Sequence, residues 1–260
     1  MLTPYRSRHF ANGSVYALKT PDGFTLETTD TFLPDYTKNC INGTNCILNS
    51  DFGSRLDRWM IGVSVMSGCP VGCKFCATGN MTKWKNLQAD EIIEQIIFIL
   101  EENRQYDFGK SKEHKINYTR MGEPFLNISN VRKVIEEVQM CFPNAHQYVS
   151  TIGVKGSDFS WIKGNITLQL SLHSLDEDRR NQLIPYKNKM SIKELGQIRT
   201  NSNLKTTVNL TLVDNLDFDI EKLQEYFDPQ YFFIKLSPIN TNDVSEKNNL
   251  GGGIINGNNC

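Results

Sequence analysis

Three cysteines stand close together in the segment Cys69-Pro-Val-Gly-Cys73-Lys-Phe-Cys76. Cysteine thiolates are the usual protein ligands of iron–sulfur clusters, and a 4Fe–4S cube has four irons to bind. Three cysteines leave one iron without a protein sulfur. Because a metal with an open coordination position commonly binds a substrate or cofactor there, the spacing predicts a reactive 4Fe–4S cluster held by one loop.

Two other interpretations of these cysteines stay open. A zinc site would use the same thiols, although zinc sites favour paired Cys-x2-Cys or Cys/His spacings, and three unrelated thiols would bind no metal at all. The chain has seven cysteines, an odd number. That count, with three cysteines at metal spacing, favours a reducing cytoplasm over a disulfide framework, so we expect a cytoplasmic protein.

The composition is that of an ordinary globular protein. The chain has 260 residues, enough for one sizeable domain, with 39% hydrophobic and 22% charged residues. The net charge of −1 excludes a broad electrostatic attraction to nucleic acid, although a local basic patch stays open. The first ten residues lack the apolar core of a signal peptide, and no apolar run is long enough to span a bilayer, so we expect no membrane association.

The cysteine loop lies in a region where strands and helices are predicted to alternate. Six strand-like segments cover residues 59–66, 115–119, 146–151, 166–172, 205–213 and 231–236. Helical segments separate them, including a helix over 90–105 and a short helical turn over 157–163. Alternation of this kind indicates a parallel sheet. Six units are too few for a closed eight-fold barrel, so we predict an α/β fold with an open, partial (β/α)6 barrel.

Three segments follow from this pattern. Residues 1–57 form an N-terminal extension with a small β-hairpin, whose turn is Pro21-Asp22-Gly23, and a loop. Residues 58–240 form the partial barrel. Residues 241–260 are a tail rich in Gly and Asn, which predicts a loop or disorder.

The residues that follow the predicted strands are those that could do chemistry, because the active sites of such barrels lie at the C-terminal strand ends. Every strand end except the fifth carries a polar group or a glycine. The cysteine loop follows the first strand, and the others end at Met121-Gly122-Glu123-Pro124, Ser150-Thr151-Ile152-Gly153, Ser171-Leu172-His173-Ser174 and Ser237-Pro238-Ile239-Asn240. Such registration predicts a single site at this edge.

These motifs, in this order, resemble one family. Phe75-Cys76-Ala77-Thr78-Gly79, Met121-Gly122-Glu123-Pro124, Ser150-Thr151-x-Gly153 and Leu170-Ser171-Leu172-His173 are similar to motifs of the ribosomal RNA adenine methyl synthases (the RlmN/Cfr type) of the radical S-adenosylmethionine (SAM) superfamily. The resemblance runs from about Val15 to Asn240. It implies a 4Fe–4S cluster and SAM as cofactors, and a partner such as flavodoxin or ferredoxin that donates the electron needed to cleave SAM to a 5′-deoxyadenosyl radical.

The resemblance also implies a role for individual residues. Cys69, Cys73 and Cys76 would bind the cluster, and Gly122 and Glu123 would meet the amino group of SAM. Five further residues would contact the remainder of SAM: Ser150, Ser171, Leu172, His173 and Asn240. Glu27, in the N-terminal hairpin, matches a glutamate placed near the substrate as a proton acceptor. Taken one at a time, these residues could equally be helix caps, turn residues or a buried histidine.

The sequence departs from the family at two further cysteines. The thiol that resolves the covalent adduct with the RNA base would lie seven residues before Cys69, where this chain has Gly62. The chain also stops before a segment that would carry the methylated cysteine. Cys40 and Cys46 lie in the predicted loop before the first strand of the barrel and could approach its mouth, but no role is assigned to them or to Cys260. We expect Cys141 to pack as a small hydrophobic residue. SAM cleavage is thus predicted, and methyl transfer by the family mechanism is not.

Three functions stay open at this point. The first is a radical SAM enzyme that modifies a nucleoside or a nucleic acid. The second is the same chemistry on a peptide or a small metabolite, because loops decide substrate choice. The third is a protein that binds a metal cluster without catalysis. Nine basic residues could face phosphates or simply form a solvated surface: Lys83, Lys85, Lys110, Lys112, Lys115, Arg179, Arg180, Lys187 and Lys189.

Overall fold

The computed structural model of the chain describes residues 1–34, 52–213, 219–251, 254–255 and 258–259. These residues divide into two compact units. The first comprises Met1–Ser67, Asn86–Met121 and Asn127–Tyr148. The second comprises Gly68–Lys85, Gly122–Leu126 and Val149–Cys260. Cys40, Cys46 and Cys260 lie outside the described residues.

The first unit starts with three antiparallel strands, β1 (Thr3–Phe10), β2 (Gly13–Lys19) and β3 (Thr25–Leu33). Strand β4 (Arg58–Gly62) pairs antiparallel with β3, and β5 (Glu113–Tyr118) pairs parallel with β4. Next in order is β6 (His146–Thr151), whose first three residues complete this unit. The predicted hairpin is confirmed as the β2–β3 pair.

The second unit also contains parallel strands. It contains the end of β6, then β7 (Ile166–Ser171), β8 (Thr206–Leu212) and β9 (Phe232–Pro238), in that order. The pairs β7–β8 and β8–β9 are parallel. All six strands of the predicted parallel set are therefore present, and the α/β class with a large, mostly parallel sheet is confirmed.

Two long helices of the first unit form where apolar residues repeat at helical spacing. Helix α1 (Ala89–Glu102) buries Ile92, Ile96 and Ile99, and a capping box between Gln88 and Glu91 fixes its start. Helix α2 (Ile128–Cys141) buries four residues on one face: Val131, Val134, Ile135 and Val138. Burying these faces, more than intrinsic propensity, stabilises helices of this length.

The helices of the second unit are short: α3 (Glu177–Leu183), α4 (Ile192–Gly196), α5 (Ile220–Tyr226) and α6 (Asp243–Lys247). Each begins at a polar N-cap side chain that accepts backbone N–H groups: Asp176, Ser191, Asp219 and Asn242. Turns of 3-10 helix cover residues 77–80, 108–110 and 124–126. Two-residue strands lie at 66–67, 85–86, 163–164, 201–202, 254–255 and 258–259.

Two expectations about secondary structure are wrong, and one strand was not predicted. Residues 157–163 contain no helical turn, and Lys163–Gly164 form a short strand instead. Strand β1 was not predicted, since all its residues are exposed and no apolar periodicity marks it. The tail predicted as a loop from Thr241 includes helix α6. Among the described residues, no helix has the length and apolar character needed to cross a membrane.

Candidate cluster and cofactor site

The three cysteines of the predicted cluster loop lie together in the second unit. Burial raises the pKa of the Cys69 thiol to about 12 and that of Cys73 well above its ordinary value. The charge on Cys76 raises both of these pKa values further, and so does the charge on Glu123. The loop thus holds three thiols near one another and near one carboxyl group, in surroundings that keep an unligated thiol protonated.

Hydrogen bonds to the backbone of Lys74 and Phe75 connect the loop between Cys73 and Cys76 to two other segments. The Lys74 N–H donates to the Leu183 carbonyl at 2.9 Å, at the end of α3. The Asn242 Nδ2 donates to the Phe75 carbonyl at 3.0 Å, and the Asn248 Nδ2 donates to the Lys74 carbonyl at 3.0 Å. Helix α6, which these two asparagines flank, therefore holds the cysteine loop, a role that the composition of the tail did not reveal.

Glu123 is buried at the start of the 124–126 turn, with 4% of its surface exposed. Its Oε1 accepts the Phe125 N–H at 3.1 Å, and its Oε2 accepts the Ile152 N–H at 3.0 Å. Burial raises its pKa to about 7, against the lowering effect of these N–H groups and of the Thr151 hydroxyl. Gly122 has a φ of 100°, which favours glycine before the buried carboxyl. An ammonium group of a ligand would favour the ionised form of Glu123.

The ends of β6 and β7 each carry one serine hydroxyl of a close pair. Ser150 Oγ on β6 and Ser171 Oγ on β7 lie 3.3 Å apart, and both side chains are half-buried. Leu172 is fully buried, and its N–H donates to the Asn209 carbonyl at 3.0 Å. Two hydroxyls at adjacent strand ends can each donate and accept, which suits hydroxyl or carboxylate groups of a ligand.

His173 follows in a backbone conformation that few residues adopt. Its φ is 61°, in the left-handed region, and 7% of its surface is exposed. The ring meets Phe75 of the cysteine loop edge to face, with centroids 4.8 Å apart, and its Nδ1 accepts the Thr211 N–H at 3.1 Å. Burial, with the charge of Arg180, lowers its pKa to about 3, so the ring is neutral and its proton lies on Nε2. Strained backbone of this kind is concentrated at functional sites.

The second unit therefore contains the three predicted cluster residues and all seven predicted SAM residues. Asn240 belongs to the same unit, after β9, where it is exposed and its carbonyl accepts the Asn242 Nδ2 at 3.0 Å. Glu27 belongs to the first unit. Cys141 is exposed at the end of α2, so the expectation that it packs as a hydrophobic residue is wrong. Arg180 and Lys189 are buried, so neither forms part of a solvated basic surface.

Glu27 is paired with Arg120, which lies against Gly62, the position that the resemblance gives to a thiol. Its Oε2 accepts from Arg120 Nη2 at 2.6 Å, with side chains 45% and 35% exposed, respectively. A Cβ at Gly62 would lie 2.4 Å from Thr29 Oγ1 and 3.2 Å from both Cγ and Cδ of Arg120. The Thr28 hydroxyl donates to the Gly62 carbonyl at 2.9 Å. The space for a side chain at residue 62 is thus already occupied, and Arg120 is held there by Glu27.

The donor set of the loop, three cysteine thiols, fits a 4Fe–4S cluster, in which each thiol would bind a different iron. A bound metal deprotonates the thiols that ligate it. A second observation supports the fit. The buried Arg180 Nε lacks a hydrogen-bond partner within the described residues, and its helix α3 is hydrogen-bonded to the cysteine loop.

Comparison with known proteins supports the resemblance seen in the motifs, although no family model matches the chain. It is 31% identical over 192 residues to a probable dual-specificity RNA methyltransferase RlmN of Pseudothermotoga lettingae, covering 69% of this chain and 54% of that one. It is 38% identical over 151 residues to a protein of the same name from Dictyoglomus turgidum, covering 55% and 42%. For the dual-specificity RNA methyltransferase RlmN of Helicobacter hepaticus, identity is 30% over 199 residues, covering 74% and 51%.

A solved structure shares the fold. A radical SAM methyltransferase from Sphaerobacter thermophilus superposes with a TM-score of 0.69 at 23% identity, covering 98% of this chain and 71% of that one. The matches to the curated relatives span about half the length of those proteins. Sequence and fold together therefore relate the chain to the radical SAM RNA methyltransferases named RlmN, as its motifs predict.

Proposed function

We propose that the protein is a radical SAM enzyme that modifies a nucleoside or a nucleic acid. The observation that carries the proposal is the gathering of three thiols, a buried carboxyl and two strand-end hydroxyls in one compact unit. When bound, the 4Fe–4S cluster supplies one electron that cleaves SAM, and the resulting 5′-deoxyadenosyl radical abstracts a hydrogen atom from the substrate. The names of the relatives favour RNA over a peptide or a small metabolite.

Each residue of the site has a distinct task in this proposal. Cys69, Cys73 and Cys76 hold the cluster. Glu123 binds the amino group of SAM, and Gly122 lets the backbone approach it. The remaining residues contact SAM at its carboxylate, ribose and adenine: Ser150, Ser171, Leu172, His173 and Asn240. His173 is neutral, so its Nε2–H is a donor that adds no charge to the site.

The proposal does not include methyl transfer through a covalent adduct of the base. Such an adduct needs a nucleophile to resolve it. Gly62 has no thiol, and Thr29 and Arg120 occupy the space where one would lie. Glu27 accepts a proton from the substrate, and it must leave its ion pair with Arg120 to do so.

The test is anaerobic reconstitution with iron and sulfide, followed by incubation with methyl-labelled SAM, a chemical reductant, and either an RNA or a peptide extract. We expect 5′-deoxyadenosine, and a mass change in RNA nucleosides without label in 2- or 8-methyladenosine. A protein loaded with iron and sulfide that forms no 5′-deoxyadenosine would contradict the radical SAM proposal. Modified peptides with unmodified RNA would contradict the substrate class, and labelled methyladenosine would contradict the exclusion of methyl transfer.

A further inference from the structure

Arg180 on helix α3 is the largest charged side chain in the buried interior of the second unit. Its relative exposure is 0%, which is rare for arginine and costs free energy unless the charge is paired. Its Nη1 donates to the Met190 carbonyl at 2.6 Å, and its Nη2 donates to the Ile152 carbonyl at 2.8 Å. The nearest carboxylate in an ion pair with it is Glu177, with Oε2 at 3.9 Å and a half-exposed side chain. Two carbonyls and a distant carboxylate compensate the buried charge only in part.

One of these hydrogen bonds links Arg180 to Glu123, the carboxyl group that we propose binds the amino group of SAM. Ile152 donates its N–H to Glu123 Oε2 at 3.0 Å and accepts from Arg180 through its carbonyl. A single peptide segment at the end of β6 is therefore held from both sides. Any movement of the Arg180 fork would shift the Ile152 N–H, and with it one of the two backbone groups that orient Glu123.

The other connections run to the cysteine loop. The Leu183 carbonyl, three residues after Arg180 on α3, accepts the Lys74 N–H at 2.9 Å. Burial lowers the pKa of the Arg180 guanidinium, and the nearby Glu177 and Cys73 groups oppose that effect. Burial also lowers the pKa of His173, and the charge on Arg180 lowers it further. The guanidinium thus acts electrostatically on a proposed cluster ligand and on the neighbouring histidine.

The groups that face Arg180 leave one donor unused. The carboxylate of Glu177 attracts the guanidinium only weakly, because it lies 3.9 Å away and is half-exposed. The ammonium of Lys189 carries the same charge as Arg180 and disfavours a cation at this position. Nε is buried without a hydrogen-bond partner in the described part of the chain. Leaving a buried donor unsatisfied is unfavourable, and three thiolates with a cluster would bring both negative charge and acceptor sulfurs to this loop.

We propose that Arg180 is the positioning residue that couples the two halves of this site: its fork orients Glu123 through Ile152, and its charge balances the cluster bound at Cys73. The proposal rests on the proposed radical SAM function. A cation beside an anionic cluster favours the reduced state, since net charge and hydrogen bonds to sulfur are among the factors that set reduction potentials. The fork and the charge can be separated by substitution, because lysine keeps the charge and lacks the planar pair of donors.

The experiment compares Arg180→Met and Arg180→Lys with Arg179→Met. Arg179 lies next to Arg180 and donates to Gln182 on its own helix, so its substitution is the matched control. Cluster reduction potential is measured by optical titration of the loaded proteins, SAM affinity by calorimetry, and unfolding of the unloaded proteins by melting. A role in the fold alone would move the melting temperature and leave the potential unchanged.

We expect R180M to have a more negative potential than R179M and to bind SAM about tenfold more weakly, the loss typical of one hydrogen bond to a charged group. R180K keeps the wild-type potential and shows the weaker SAM binding. Wild-type potential and affinity in R180M overturn the proposal. If R180M does not fold, R180K decides, because unchanged SAM affinity in R180K would overturn it. A wild-type protein that loads no cluster contradicts the proposed function itself.

Discussion

The two compact units differ in how closely they keep the arrangement that their motifs imply. In the second unit, the cysteine loop lies near Glu123, and its Phe75 contacts the ring of His173. In the first unit, the position that the resemblance gives to an adduct-resolving thiol is Gly62, and Thr29 and Arg120 occupy the space for a side chain there. The residues that we propose for generating a radical therefore lie together, whereas the position proposed for resolving a methylated adduct offers neither a thiol nor room for one.

The largest expected effect is loss of the cluster. Cys73→Ala removes one of three thiols, and we expect it to abolish the broad iron–sulfur absorption together with SAM cleavage. Cys141→Ala is the matched control, because this cysteine is exposed at the end of α2. We expect the C141A protein to load a normal cluster. Absorption spectra and iron content after reconstitution measure the result. A C73A protein with a full cluster would remove the basis for the comparison between the units.

In the protein without a cluster, Glu123 makes the free energy of unfolding depend on pH. Its folded pKa of about 7 exceeds the ordinary 4.5 because the group is buried. Between these values the unfolded chain releases the proton and the folded chain keeps it, so this group lowers the free energy of unfolding as pH rises, by about 3 kcal/mol in total. Glu123→Gln removes the effect.

The opposite pH dependence of His173 must be cancelled in this measurement. Its folded pKa of about 3 lies below the ordinary 6.5, so His173 increases stability as pH rises between those values. The E123Q variant keeps His173. We therefore expect the stability of E123Q relative to wild type to increase from about pH 4 to about pH 8, as measured by urea unfolding. A constant difference would show that Glu123 ionises normally in the fold.

The strands of the parallel sheet could be predicted because their residues carry the necessary information locally. In Ile166–Ser171, for example, the apolar residues Ile166, Leu168 and Leu170 alternate with polar ones, as expected of a strand. Strand β1 could not be predicted in this way, because it is exposed along its length and forms by pairing with β2. Helix α6 depends on an N-cap asparagine and on contacts to the cysteine loop, which are invisible in a composition rich in Asn and Gly.

The residues of the candidate site also differ in how far the sequence could predict them. Residues within motifs were named from the sequence, whereas the residues that support them were not. Arg180 was grouped with basic residues that would face phosphates or solvent, yet it lies three and four residues before Leu183 and Ile184, which are both buried. That spacing on one helical face was the available signal. Which buried polar group holds which carbonyl is decided by tertiary contacts, so Ile152 and Asn248 carried no signal at all.

A smaller effect is expected at Gly62. Gly62→Ala places a Cβ within 2.4 Å of Thr29 Oγ1, and overpacking of this kind costs about 1–3 kcal/mol. The matched control is Gly109→Ala, whose Cβ would meet its nearest atom at an ordinary 3.5 Å. Gly62→Cys should carry the same penalty, and Thr29→Ala in the same chain should relieve part of it. Urea unfolding checks these differences. Equal stability of G62A and G109A would mean that the position is open and that the first unit could accept a thiol.

The smallest effect on stability is expected at the ion pair of Glu27 and Arg120. Both side chains are more than a third exposed, and exposed pairs contribute at most about 1 kcal/mol. Glu27→Gln should therefore unfold much like Lys112→Ala, which breaks the exposed contact of Lys112 with Asp57 in the same unit.

The two variants should separate when activity is measured. A glutamine cannot accept a proton from a substrate, whereas loss of the Lys112 contact leaves Glu27 intact. We expect both loaded proteins to cleave SAM at the wild-type rate without substrate, because the proposed cofactor residues are unchanged. With RNA extract present, E27Q should lose the modification of nucleosides and K112A should keep it. If E27Q modifies RNA as well as K112A does, Glu27 serves only its pair with Arg120. The first unit would then keep neither the thiol nor the proton acceptor that the resemblance implies.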